Sequence, residues 1–220
     1  KEEDYMKQGV LDPISVQQEI SHLEKLSCSP PIASEVLKYL ENEEVSVPHL
    51  AGLISSDSVL TARVLKLANS ENLGYSGQIS TLNMAIITIG LPSLVDLLRG
   101  ISAVDQFSFN GHHHQIILQN MQYHNARVGD CAKTLSNLSG YPVSGEAFVA
   151  GLLHDLGYQV LYQIYPDQFS ELYKRSMRSG TDLHNLEENF LGIDHCQAGS
   201  WLARAWNLPE KLISAIEFHH

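Results

Sequence analysis

Apolar residues recur along this chain at intervals of three and four, the spacing that lines one face of a helix. In LAGLISSDSVLTARVLKLANS, Leu50, Leu53 and Ile54 form one such series, and Leu60, Val64, Leu65 and Ala68 form another after the SSDS break. The stretch predicts two short helices, the second capped by Asp57 or Ser58, whose side-chain oxygens can take an amide proton that a helix start leaves unpaired. Upstream, LDPISVQQEISHLEKL offers Asp12 as a cap and Pro13 at the first helical position, and PPIASEVLKYLENEE reads as a helix entered through two prolines. ISTLNMAIITIG runs from a Ser80 cap to a Gly90 stop, and PSLVDLLRGISAVDQF restarts at Pro92. The β-branched AIITI is the one strand-like run, and its flanking cap and stop favour helix.

NGHHHQ, residues 110 to 115, interrupts this pattern with a glycine and three consecutive histidines. It reads as a solvated loop or a helix start, because three adjacent residues cannot all face one metal from a helix. The boundary between two helical lobes, 1–109 and 110–220, is placed here. Beyond it, QNMQYHNARVGDCAKTLSNLSG predicts one amphipathic helix carrying His124, and SGEAFVAGLLHDLGYQVLYQIYP another, capped near Ser144 and carrying His154 and Asp155. Shorter helices follow at DQFSELYKRSMRSG, DLHNLEENFLG, DHCQAGSWLARAW and, through Pro209, PEKLISAIEFHH. The expected fold is all-α and two-lobed.

Composition narrows the function. A net charge of -11 opposes a phosphate backbone, so nucleic acid is not an expected partner. No apolar run is read as approaching the roughly 20 residues of a membrane span, and KEEDYMKQG is too polar for a secretory signal. The expectation is a soluble cytoplasmic protein; a start at Lys1 suggests a piece of something longer. Cys28, Cys131 and Cys196 are odd in number, far apart and outside any C-x-x-C pair, so they read as reduced, mostly buried thiols. Trp201, Leu202 and Trp206 are assigned to packing, Asn69 to a cap or turn, and Tyr158, Tyr162 and Tyr165 to a core edge.

Histidine stands on otherwise apolar or small-residue helices at four separate places: His124, the pair His154 and Asp155, His195, and the pair His219 and His220. Imidazole with carboxylate suits a divalent iron, manganese or zinc ion, and such an ion can turn water into a nucleophile near neutral pH. Neighbouring helical residues point about 100° apart. His154 and Asp155 can therefore flank one ion only at a helix edge, with other helices completing the shell. Any one of these histidines alone is more often hydrogen-bonded in a core than bound to metal.

The order His124, GLLHDLG, DHCQAG, LPEKLISAIEFHH resembles the HD superfamily of metal-dependent phosphohydrolases. With PPIASEVLKYL, LTARVLKLANS and ISTLNMAIITIG before it, the chain resembles the HDOD family, the HD-related output domain of bacterial signalling proteins, over about residues 20–220. The resemblance implies that His124 matches the first metal histidine and that His154 and Asp155 match the doublet. His195, His219 and His220 match the extra histidines of the related HD-GYP phosphodiesterases. Two departures stand out. Tyr158 replaces the lysine of the HDxGK pattern, removing a cation that could neutralise phosphate, and the final HD aspartate has no counterpart. The GYP motif is also missing.

The resemblance therefore implies a regulatory or output domain that acts by binding a signalling protein or a small nucleotide-like ligand. The alternative is a metal-dependent phosphohydrolase acting on a nucleotide or cyclic dinucleotide, with Asp155 in the metal site and Arg127, one turn after His124, facing phosphate. Otherwise Arg127 is a solvated helix charge.

Overall fold

A computed structural model describes residues 11–42, 44–104 and 112–220, and the regular elements within them are helical. The Asp12 carboxylate accepts the Ser15 N–H and opens α1 (Pro13–Ser21), as its sequence predicts. Next come α2 (Pro30–Leu40), α3 (Val47–Ile54) and α4 (Ser58–Ala68). Asp57 is the cap that the sequence left open between two residues: Oδ1 accepts the Leu60 N–H, while Oδ2 reaches back to accept that of Ser29. Helix α4 is buried on almost every side.

Helix α5 (Leu82–Val104) is broken at Gly90, whose φ of 73° and ψ of 161° lie outside the helical range. The expected stop and the restart at Pro92 thus survive as a kink. Its start differs from expectation. Thr81, not Ser80, occupies the cap, its hydroxyl accepting the Met84 N–H, because the Ser80 hydroxyl is spent on Glu146. Leu82–Ile101 is long and apolar enough to cross a membrane by length and composition, contrary to the sequence reading. Here it is kinked and packs against α2, α3 and α4.

The second half comprises α6 (His112–Ser139), α7 (Ser144–Leu153), α8 (Leu156–Ile164), α9 (Pro166–Ser179), α10 (Leu183–Leu191), α11 (His195–Ala205) and α12 (Glu210–Glu217). His112 to His114 thus begin a helix; Asn110 and Gly111, with the proposed lobe boundary, lie outside the described residues. The segment expected as one helix is divided. Helix α7 stops at Leu153 and α8 starts at Leu156, so His154 and Asp155 occupy the joint.

Close backbone approach brings the joint to its neighbours. A Cβ on Gly151 would lie 2.8 Å from the Val128 carbonyl of α6, and one on Gly157 would lie 1.7 Å from the His195 carbonyl of α11. Glycine at these two places lets α7 lie on α6 and α8 on α11 with almost no side chain between. The first helix closes over the same region: α1 packs on α11, and Trp206 Nε1 donates to the Leu23 carbonyl at 2.9 Å. Trp206 and Leu202 are buried while Trp201 is half-buried; Cys28 and Cys196 are buried and Cys131 is exposed, and none of the three is in a disulfide.

Candidate metal centre

Ending α7 at the doublet has a chemical result. Released from one continuous helix, the His154 ring and the Asp155 carboxylate turn toward the same point, with His154 Nε2 3.2 Å from Asp155 Oδ2. His124, from α6, places its Nε2 3.5 Å from that oxygen and 3.3 Å from His154 Nε2. Asp155 Oδ1 faces a second pair: His219 Nε2 at 3.3 Å and His195 Nε2 at 3.6 Å, themselves 3.2 Å apart. One buried carboxylate thus lies between two histidine pairs drawn from four separate parts of the chain.

The inner nitrogens are fixed. His154 Nδ1 donates to the Gly151 carbonyl at 2.7 Å and His219 Nδ1 to the Ile216 carbonyl at 2.9 Å. A carbonyl only accepts, so each proton lies on Nδ1 and each Nε2 is left as a lone pair or, doubly protonated, as a donor. His195 Nδ1 meets Glu187 Oε2 at 2.6 Å, and the same oxygen accepts the His195 backbone N–H at 3.0 Å. Burial pushes the Glu187 carboxyl up against the lowering effect of its bonds to His195. We place the shared proton on Nδ1, because an oxygen accepting two N–H groups is stabilised as carboxylate.

Electrostatics match this layout. Burial pushes the Asp155 carboxyl up, but hydrogen bonds from His154 and His219 and the positive rings around it outweigh burial and hold it well below the usual carboxylate range. His195 is driven down by burial and up by Cys196 and Glu187, with the balance at about 9. His219 is also raised, its bond to Asp155 outweighing burial. The site therefore demands positive charge on both sides of one carboxylate, and protons or metal ions can supply it. Donor atoms 3.2–3.6 Å apart match the edges of a coordination shell with bonds of about 2.0–2.2 Å. The residues fit a divalent ion.

Tyr158 lies half-buried against the core, as expected, and also reaches the site. Its ring centroid is 3.9 Å from that of His195, and burial with the nearby Asp155 and Glu187 charges keeps the phenol neutral. Arg127 is exposed, with its guanidinium 4.8 Å from the Tyr123 ring centroid. His220 makes ring contacts with His219, His195 and His184 rather than with Asp155. Entry is from the His124 side, whose side chain is 57% exposed against 9% for Asp155.

Sequence reading missed Glu187, His184 and Asp194. Glu187 lies four residues from both Leu183 and Leu191, all three buried. A carboxylate in register with two core leucines was the available signal.

The HDOD domain model matches residues 26–220. The chain belongs to the HDOD family. It is 30% identical to an uncharacterized protein of Treponema pallidum (strain Nichols) over 187 residues, 84% of this chain but 36% of that protein, so it spans about a third of that relative. An HDOD domain protein with unknown function from Geobacter sulfurreducens is 28% identical, covering 94% of this chain and 69% of that one with a TM-score of 0.51. The fold also matches a virulence factor from Campylobacter jejuni subsp. jejuni, with a TM-score of 0.76 at 24% identity over 94% of this chain and 75% of that one. The all-α HDOD architecture expected from the sequence is the one observed.

Proposed function

We propose that this HDOD domain is a signal-transduction module whose Asp155 site holds divalent transition-metal ions and through them binds a small phosphate-bearing ligand, a nucleotide or cyclic dinucleotide. The observation that carries this reading is the Asp155 carboxylate, with one oxygen facing His124 and His154 and the other facing His195 and His219. Iron, manganese or zinc suits these nitrogen and oxygen donors. Bound ions would supply Lewis acidity toward phosphoryl oxygens and acidify water. The chain's own residues orient the site: the Gly151 and Ile216 carbonyls and the Glu187 carboxylate aim three rings at Asp155, and Tyr158 covers His195.

Asp155 between two histidine pairs also favours a second reading, phosphoester hydrolysis. Against it stands Tyr158, which occupies the lysine position of the HD-GYP pattern and brings no cation for phosphate. We therefore rank recognition above turnover, with a signalling protein as the partner that reads the bound state.

Elemental analysis of tag-free protein beside an Asp155→Ala variant tests the reading, with the His112–His114 run replaced in both to remove adventitious binding. Near-stoichiometric metal in the parent, lost in the variant, together with metal-dependent nucleotide binding, is expected. A parent that takes up no metal on reconstitution sinks it. Metal-dependent cleavage of a phosphodiester, absent from the variant, would raise the second reading above the first.

A further inference from the structure

Beside His195, a second group of metal-type donors converges that does not include Asp155. His184 of α10, Asp194 at the cap of α11 and Cys196 in its first turn each offer one atom, and these atoms lie within 4.8 Å of one another. His184 Nε2 is 3.3 Å from Asp194 Oδ2, the edge expected between nitrogen and oxygen bound about 2.0–2.2 Å from a tetrahedral ion. Asp155 makes its contacts elsewhere, with His124, His154, His195 and His219.

The Asp194 carboxylate is held in place before any ion arrives. Asp194 Oδ1 accepts the Gln197 N–H at 2.7 Å as part of a capping box, which turns Oδ2 toward His184. The His184 backbone N–H is tied to Asp182 Oδ1 at 3.1 Å. Cys196 is a buried thiol outside any disulfide; its sulfur lies 3.8 and 3.9 Å from the His219 ring nitrogens, hydrogen-bonds His195, and is also within reach of a group formed with His195, His219 and His220. A His184–Asp194 ion pair would account for two of these groups, while the thiol beside them faces both this pair and the rings of His195 and His219. His220, with its ring centroid 4.9 Å from that of His184, borders the group on its exposed side.

We propose that His184, Asp194 and Cys196 form a second metal site, distinct from the Asp155 centre, that takes a thiophilic divalent ion of the zinc class and is closed by His220. Sulfur makes the selectivity. A thiolate with imidazole and carboxylate prefers zinc, and discriminates against magnesium, calcium and manganese, whereas nitrogen and oxygen donors alone around Asp155 also admit harder ions. Loading requires loss of the thiol proton, so uptake releases a proton for each ion bound.

Cobalt(II) as the probe separates the two centres, because cobalt bound to a thiolate shows a sulfur-to-metal charge-transfer band that nitrogen and oxygen ligands do not give. Chelator-stripped protein in a Cys131→Ser background is titrated with cobalt, with circular dichroism confirming the fold of every variant. The band is expected in this parent and in Asp155→Asn. It should vanish in Cys196→Ser, and in His184→Ala it should need about tenfold or more cobalt. The zinc bound should fall by one ion per chain in Cys196→Ser. Absence of the band at full cobalt loading overturns the site. So does a band that is lost in Asp155→Asn yet unchanged in His184→Ala, which would assign Cys196 to the Asp155 centre. The site does not depend on the function proposed for Asp155, and the Asp155→Asn arm distinguishes failure of one from failure of the other.

Discussion

Glu187 and His195 are joined twice through one oxygen: Oε2 accepts both the backbone N–H and the ring Nδ1–H of His195, at 3.0 and 2.6 Å. The second contact fixes which ring nitrogen faces Asp155. Replacing Glu187 with Gln keeps an acceptor but removes its charge, so His195 becomes a poorer ligand. Metal affinity is expected to fall by about 10- to 100-fold, as measured by competition with a chromophoric chelator. Glu187→Ala should also lose about 1–3 kcal/mol of stability, because two buried N–H groups go unpaired. Equal metal affinity in the parent and Glu187→Gln would remove Glu187 from the site.

Gly157→Ala is expected to be the most disruptive single-methyl change near the site. The added Cβ would meet the His195 carbonyl at 1.7 Å, and neither backbone has a flexible end to move aside. Forced separation of α8 from α11 costs about 1–3 kcal/mol or more and shifts His195 away from Asp155. Urea unfolding should show the lost stability, and metal uptake should fall with it. A variant with parental stability and metal content would contradict the close packing of these helices.

Metal binding near neutral pH should release protons. In the metal-free protein, burial pushes His195 down, but Cys196 and Glu187 outweigh it and raise the ring from 6.5 to about 9, and His219 is raised as well. The protonated rings therefore stabilise the fold fully below 6.5, and this contribution fades as the pH climbs through 9. An ion competes with the Nε2 proton, so its apparent affinity should rise with pH over the same interval. Calorimetric titrations in buffers of different ionisation heat count the released protons. Heats independent of the buffer would show that the rings are already deprotonated.

Asn69 offers a control away from the metal centre. Its amide donates to the Leu65 and Ile79 carbonyls, and its oxygen accepts the Gln78 and Ile79 N–H groups. This single buried side chain pins the end of α4 to the segment that leads into α5. Asn69→Ala should cost about 1–3 kcal/mol and leave the metal affinity of the folded protein unchanged. Thermal unfolding reads the first expectation and metal titration the second; loss of metal binding in the folded variant would mean that the two halves are coupled.

Local signals announced most of the helices. Asp12 before Pro13, Asp57 before a run of apolar residues, and Gly90 before a proline each act within a turn or two of the chain, so sequence alone displays them. The division of GLLHDLGYQVLYQIYP was hidden, since its residues form an uninterrupted helical pattern and the joint at His154 and Asp155 belongs to the contacts around it. Ser80 was misread as a cap for a similar reason: its hydroxyl answers to Glu146, far along the chain.

The sequence by itself determined the helical class and the family and named the histidines from which the structure draws four to Asp155, because spacing and side-chain chemistry are local properties. Only the tertiary structure decided which atoms meet. It gave Asp155 a separate histidine pair for each oxygen, drew Glu187 behind His195, set Tyr158 over that ring and brought His184 to Asp194 and Cys196. Those relations depend on how closely α8, α10, α11 and α12 approach one another, a distance fixed by packing between residues remote in the chain.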